Sequence, residues 1–142
     1  MAEILNIDPQ HMKGRRIKKA ADLLRDGGVI VYPTDTIYGL GCDITNKEAI
    51  ERIRRIKGRS SKKPMSFVCA DLSNVSDYAH VSNHAYRILK RSLPGPYTFV
   101  LPATRETPRI LQTKQKTVGL RVPNHPVPLA LVAELGHPII ST

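Results

Sequence analysis

The sequence has no tryptophan, two phenylalanines and five tyrosines among its 142 residues. So few rings argue against a platform that stacks the bases of single-stranded nucleic acid. Only two cysteines occur, Cys42 and Cys69. They form no CxxC pair and have no histidine at zinc-ligand spacing, which excludes a disulfide framework and a zinc knuckle. They read as small core residues in a reducing compartment. No apolar stretch approaches the ~18 residues of a membrane helix, and no apolar h-region with a small-residue cleavage site opens the chain. A cytoplasmic protein, not bound to membrane, is the reading that follows. Nucleotide and catalytic signatures are missing too: there is no GxxxxGK(S/T), GxGxxG, GxSxG or HExxH. No residue reads as a nucleophile or as a paired acid or base, and no metal site is expected.

Carboxylates are also scarce, with 12 Asp and Glu against 22 Lys and Arg, a formal charge of +10. That excess points to nucleic acid, nucleotide phosphate or another polyanion as partner, with a basic surface kept for solubility as the alternative. Hydrophobic content of 41% and charged content of 24% are those of a soluble globular protein. The length suits a single domain over residues 1–142. Pro138 to Thr142 begins as a buried strand and stops without a polar tail, so the domain is expected to be truncated at its C-terminal end.

The chain is organised around Val29 to Gly41. Val29-Ile30-Val31-Tyr32 follows a Gly27-Gly28 break and reads as a buried strand, which Pro33 ends because it has no amide hydrogen. A loop follows with the hydroxyls of Thr34, Thr36 and Tyr38 and the carboxylate of Asp35, closed by Gly39 and Gly41. Polar groups leaving the end of a strand are where α/β proteins place ligands, although the same residues also suit ordinary turn chemistry.

Residues 1–12 carry a short apolar run, read as an edge strand. Ile17, Ala20, Ala21 and Leu24 fall at helical spacing over 13–26, and a cationic first half opposes the helix dipole. Thr45 to Glu48 is a capping-box pattern for a second helix, with Ile50, Ile53 and Ile56 on its buried side. Arg52, Arg54, Arg55, Lys57, Arg59, Lys62 and Lys63 then place seven cations in twelve residues, with no carboxylate after Glu51. An anion site on this helix-to-strand connection accounts for the run better than a solvated face, which would mix in carboxylates. Met65 to Cys69 reads as a core strand, the segment around Asp71 to Asp77 as a short polar-capped turn or helix, and 83–92 as a helix capped by Ser82 with Ala85, Ile88 and Leu89 inward.

Pro94-Gly95-Pro96 is a rigid turn before a strand over 97–101, and 104–116 reads as a loop around a short helix. The next strand, 117–123, holds Arg121 inside an apolar run. That position is expensive unless the guanidinium has a partner, whether a carboxylate of the chain or a ligand. A helix over 127–135, ended by Gly136, and a last strand complete the pattern. Strands alternate with helices over connections too short for strict crossovers, which predicts an α/β domain on a twisted mixed sheet flanked by helices. The recurring chemistry is a set of anion binders and hydroxyls on separate connections: the Thr34 to Tyr38 loop, Lys57, Arg59, Lys63, Thr98 and Arg121. Such a site works by positioning and charge neutralisation, as in phosphoryl and nucleotidyl transfer.

Five blocks in order carry a family resemblance: Pro33-Thr34-Asp35-Thr36-Ile37-Tyr38-Gly39-Leu40-Gly41, Lys57-Gly58-Arg59, Lys63-Pro64-Met65, Pro94-Gly95-Pro96-Tyr97-Thr98 and Arg121-Val122-Pro123. Together they resemble the YrdC/YciO family, and Pro64 to Ser73 looks closer to its YciO branch. Val68-Cys69 stand where the synthase branch usually has a histidine. The resemblance implies a YrdC-like fold with a positively charged cleft. It implies L-threonylcarbamoyladenylate synthase activity, in which ATP with Mg2+, L-threonine and bicarbonate give threonylcarbamoyl-AMP and pyrophosphate for threonylcarbamoyladenosine formation in tRNA. By position, Thr36 would hold the amino acid and Arg121 its carboxylate, with Thr34, Tyr38 and Thr98 on the substrate side. Lys57, Arg59 and Lys63 would face the ATP phosphates, with Thr117 and Ser141 nearby. The alternative the family also implies is binding of double-stranded RNA or tRNA without synthase activity. Oligomeric state stays open.

Overall fold

The computed structural model describes residues 2–10, 14–58 and 65–142. Helix α1 (Arg15–Arg25) leads into strand β1 (Ile30–Tyr32), which pairs antiparallel with β2 (Gly39–Gly41). Next come α2 (Lys47–Lys57), β3 (Ser66–Val68), α3 (Leu72–Tyr78), α4 (Asn83–Ser92) and β4 (Phe99–Pro102). A 3₁₀ turn at Arg109–Leu111, β5 (Thr117–Arg121), α5 (Pro126–Leu135) and β6 (Ile139–Ser141) complete the order.

Four strands form a mixed sheet in the order β4-β5-β3-β6, with β3 and β5 parallel and the other pairs antiparallel. The β1-β2 hairpin is stitched to its β6 edge by backbone bonds. Leu40 and Thr142 exchange both amide bonds (3.1 and 3.2 Å), and Ile140 N donates to Cys42 O at 2.9 Å. Two cores lie on opposite faces because strand residues alternate. Phe67, Leu120 and Ile140 face α2 and α4 through Ile50, Ile53 and Leu89. Val68, Ile139 and Tyr32 face α1 and α5 through Leu24, Ala20, Leu131 and Val132.

The α/β class, the mixed sheet, the helices and most strands agree with the sequence-based expectation, and four details differ. Residues 2–8 form no strand. Instead the basic half of α1 holds this segment, with Lys19 Nζ 2.6 Å from Glu3 Oε1 and Arg16 donating to Asn6 O, which answers why cations sit against the dipole there. The strand before Pro33 is the outer strand of a hairpin, so Val31 is 69% exposed rather than buried. Its partner β2 hides in Gly-Leu-Gly, a sequence with little strand propensity. On α2 the cap is Asn46, which accepts from Ala49 N at 2.9 Å, while the Thr45 amide and hydroxyl both donate to Asp43. Ile56 lies 56% exposed and Arg54 takes the inward place, four residues after Ile50 on the buried stripe.

Candidate functional site

On the face that packs against α1 and α5, one stretch of the sheet is only partly buried. Paired residues share a face, so Ser66, paired with both Gly119 and Ser141, puts these three positions side by side across β5, β3 and β6. Val100 on β4, paired with Gly119, extends the row and is 67% exposed. Gly119 keeps the floor low: a Cβ there would stand 3.1 Å from Ser66 Oγ and 3.3 Å from Thr98 Cγ2. Arg121, one step along β5 on the same face, is paired in register with Val68. Thr117 lies four residues back on that face, about 13 Å from Arg121 at strand rise.

Arg121 meets the hairpin loop. Its Nη2 donates to Asp35 Oδ1 at 2.6 Å, and both side chains are 12% exposed. The other carboxylate oxygen accepts from Asn124 N at 2.8 Å, fastening the loop after β1 to the turn before α5. Arg121 Nε is buried with no hydrogen-bond partner. Orphaned buried donors are costly, and they concentrate where a ligand or strain explains them.

Tyr32 supports the other end of the face. Its ring lies against β2, where a Cβ on Gly39 or Gly41 would come within 2.8 Å of it. Its hydroxyl donates to Ile140 O at 3.1 Å, and Ser141 is within hydrogen-bonding reach of it. Burial pushes the phenol up to about 12, against the smaller opposing pull of Ser141 and Arg121.

The residues expected from sequence are distributed unevenly. Arg121, Thr98, Thr117 and Ser141 lie on or beside this partly buried stretch. The Thr34 hydroxyl is consumed inside its own loop, bonding Ile37 O at 2.6 Å and accepting from Thr36 N at 3.1 Å, so it shapes the loop. Thr36 and Tyr38 are exposed on that loop. The Thr117 hydroxyl is engaged with that of Thr113 at 2.6 Å. Lys57 is exposed on the last turn of α2, and no bond joins it to the described residues of the face. Arg59 and Lys63 lie outside the described residues.

Arg54, one of the seven cations of the basic run, is a packing residue: it is buried, donating to Ile110 O at 2.7 Å and pairing with Glu51 at 3.3 Å. What sequence reading left unassigned is Asp35 as the partner of Arg121, and Ser66 and Gly119 as the floor. Asp35 was visible as the lone carboxylate of its loop; the floor follows only from register. Among the described residues no group of three or more His, Cys, Asp and Glu is placed to hold a metal, and no helix is long and apolar enough to cross a membrane.

The mixed α/β domain thus sets a row of hydroxyl-bearing and glycine positions of its sheet beside a half-paired arginine. The family model described as "Telomere recombination", that of Sua5, YciO and YrdC, matches residues 22–142. The chain belongs to this family. It is 46% identical over 143 residues to the uncharacterized protein YciO of Escherichia coli (strain K12), covering 100% of this chain and 69% of YciO. The crystal structure of E. coli YciO superposes with a TM-score of 0.85 at 45% identity, over 96% of this chain and 65% of that one. A threonylcarbamoyl-AMP synthase of Nitrosococcus oceani is 41% identical over 128 residues, 89% of this chain and 69% of the synthase. The P. abyssi Sua5 crystal structure complexed with L-threonine has a TM-score of 0.85 at 31% identity, over 97% of this chain and 39% of that one. The chain thus spans roughly two thirds of YciO and a smaller part of Sua5.

Proposed function

We propose that this domain is a threonylcarbamoyl-AMP synthase-like nucleotidyltransferase that takes L-threonine, bicarbonate and ATP with Mg2+ and releases pyrophosphate. The observation that carries the reading is the partly buried stretch of sheet, with Arg121 held at one end and hydroxyls along the floor. Two family members lend support: a relative named for this reaction, and the Sua5 structure whose ligand is L-threonine.

The chemistry asks for little beyond positioning. The threonine amine adds to the carbon of bicarbonate, and loss of water leaves a carbamate. A carbamate oxygen then attacks the α-phosphorus, and pyrophosphate departs with the bond electrons. Arg121 suits the amino-acid carboxylate, with Thr36, Tyr38 and Thr98 closing around the side chain and Thr34 holding their loop. Lys57, Arg59 and Lys63 suit the leaving pyrophosphate, whose negative charge grows in the transition state, with Thr117 and Ser141 beside the nucleotide. Mg2+ enters as part of the ATP substrate, carried by phosphate oxygens and water. Pyrophosphate release by the full-length protein, measured with each substrate omitted in turn, tests the proposal. Release that requires threonine and bicarbonate together is expected; release without them, or none, refutes it.

A second reading has its own support. Arg52, Arg55 and Lys57 are exposed on α2, and none of them forms an ion pair among the described residues. A duplex RNA or tRNA bound there through its phosphates would be lost steeply with salt, and Lys57→Ala would reduce the slope. Salt-insensitive or undetectable binding removes this reading.

A further inference from the structure

We propose that Asp35 determines specificity at Arg121: it makes the pair a site for a zwitterion and turns away simple anions. The inference rests on the amino-acid reading above and adds a selection rule to it. In the folded chain the guanidinium already faces a carboxylate at 2.6 Å, and each side chain keeps 12% of its surface in contact with solvent. The pair is neutral as a unit. An incoming carboxylate therefore gains hydrogen bonds from the remaining guanidinium N–H groups but meets nearly balanced attraction and repulsion. A ligand that also brings an ammonium within reach of Asp35 recovers the missing attraction. An α-amino acid carries both charges on groups attached to one carbon; phosphate, bicarbonate and the pyrophosphate product carry only the disfavoured one.

Asp35 is well built for this role. Its Oδ2 accepts from Asn124 N at 2.8 Å, so the carboxylate is fixed from two sides and does not swing away as a ligand arrives. An oxygen that accepts one bond has a second lone pair, so each retains room for one ammonium hydrogen. The orphaned Nε of Arg121 fits the same picture, because a guanidinium held by one nitrogen is only partly satisfied by its protein partner.

The test compares L-threonine with 3-hydroxybutyrate, the same molecule without its amine, by calorimetry on the wild-type domain and on Asp35→Asn. Asparagine is isosteric and removes the charge; its one oxygen keeps an acceptor for either Arg121 or Asn124 N, and the other hydrogen bond is lost because the amide NH2 only donates. Wild type is expected to prefer threonine by about tenfold or more, and Asp35→Asn to cut that ratio at least about fivefold, chiefly by binding 3-hydroxybutyrate more tightly. Adding Arg121→Ala should abolish the gained anion binding. An unchanged ratio, or equal weakening of both ligands, overturns the inference; equal weakening would make Asp35 only a geometric support. If wild type binds no threonine, the amino-acid reading fails, and anion binding gained in Asp35→Asn and lost with Arg121→Ala would still establish the charge role. A melting temperature for each variant separates all of this from unfolding.

Discussion

Asp43 Oδ1 and His137 Nε2 stand 2.6 Å apart, and Asp43 is almost fully buried where β2 runs into β6. The same oxygen accepts from the amide and hydroxyl of Thr45 at 2.8 and 2.7 Å. Burial alone would raise the carboxyl, but the His137 and Thr45 hydrogen bonds outweigh it and hold Asp43 below its ordinary range. A depressed folded value means stability that is full above the unfolded carboxylate value and lost as pH falls through the folded one. Asp43→Asn should thus cost about 1–3 kcal/mol at neutral pH, with the gap to wild type closing below about pH 4. Urea unfolding across pH 3 to 7 measures both; a gap independent of pH would contradict it.

The glycines of β2 make a sharper structural prediction. A Cβ on Gly41 would lie 2.5 Å from Ile140 O and 2.8 Å from Tyr32 Cε1; the three atoms nearest to one on Gly39 all belong to the Tyr32 side chain, with Cζ at 2.8 Å. Each Ala substitution should cost about 1–3 kcal/mol or more by overpacking. Tyr32→Leu should relieve Gly39→Ala but not Gly41→Ala, whose worst clash is with backbone. Denaturation midpoints of the double variants decide between the two cases.

Both thiols should be silent in the native protein. Desolvation raises Cys42 to about 12, with a smaller push from Asp43, and burial raises Cys69 further. At pH 8 the Cys42 thiolate fraction is then only about one in ten thousand, and the thiolate is the reactive form. Alkylating reagents should label neither cysteine until denaturant is added, after which both react.

The cations of α2 divide into two kinds. Arg54 is buried on Ile110 O, so Arg54→Ala should destabilise by about 1–3 kcal/mol while leaving nucleotide affinity unchanged once folded. Lys57 is exposed, so Lys57→Ala should leave the unfolding midpoint in place and weaken ATP binding about tenfold. Calorimetry and melting curves on the two variants together check the division.

Much of this fold is legible in the sequence because its helices announce themselves twice. The stripe Ile17, Ala20, Ala21 and Leu24 is buried as spaced, and Ser82 caps α4 by accepting from Ala85 N. The hairpin is the instructive miss. Gly39-Leu40-Gly41 forms a strand because Tyr32 and Ile140 leave no room for side chains, and such a long-range fit leaves no local propensity to read. Arg121 was marked by its cost in an apolar run, and its carboxylate partner, Asp35, sits 86 positions away. Ile56 shows the limit of spacing alone: three-residue steps drift off a 3.6-residue stripe, and Arg54 fills the place instead.

The seam between β2 and β6 also bears on how the molecule comes to be folded. Tyr32 reaches Ile140 across 108 positions of chain, and Leu40 closes its ladder only with Thr142. On a ribosome the early signature segment therefore emerges long before the strand it leans on, and it stays unpaired on that side meanwhile. Closing so large a loop is slow and entropically costly, so docking of the hairpin belongs among the last events. The Asp35 tether to Arg121 is completed only then, which makes the proposed ligand site a property of the finished fold and not of any early fragment.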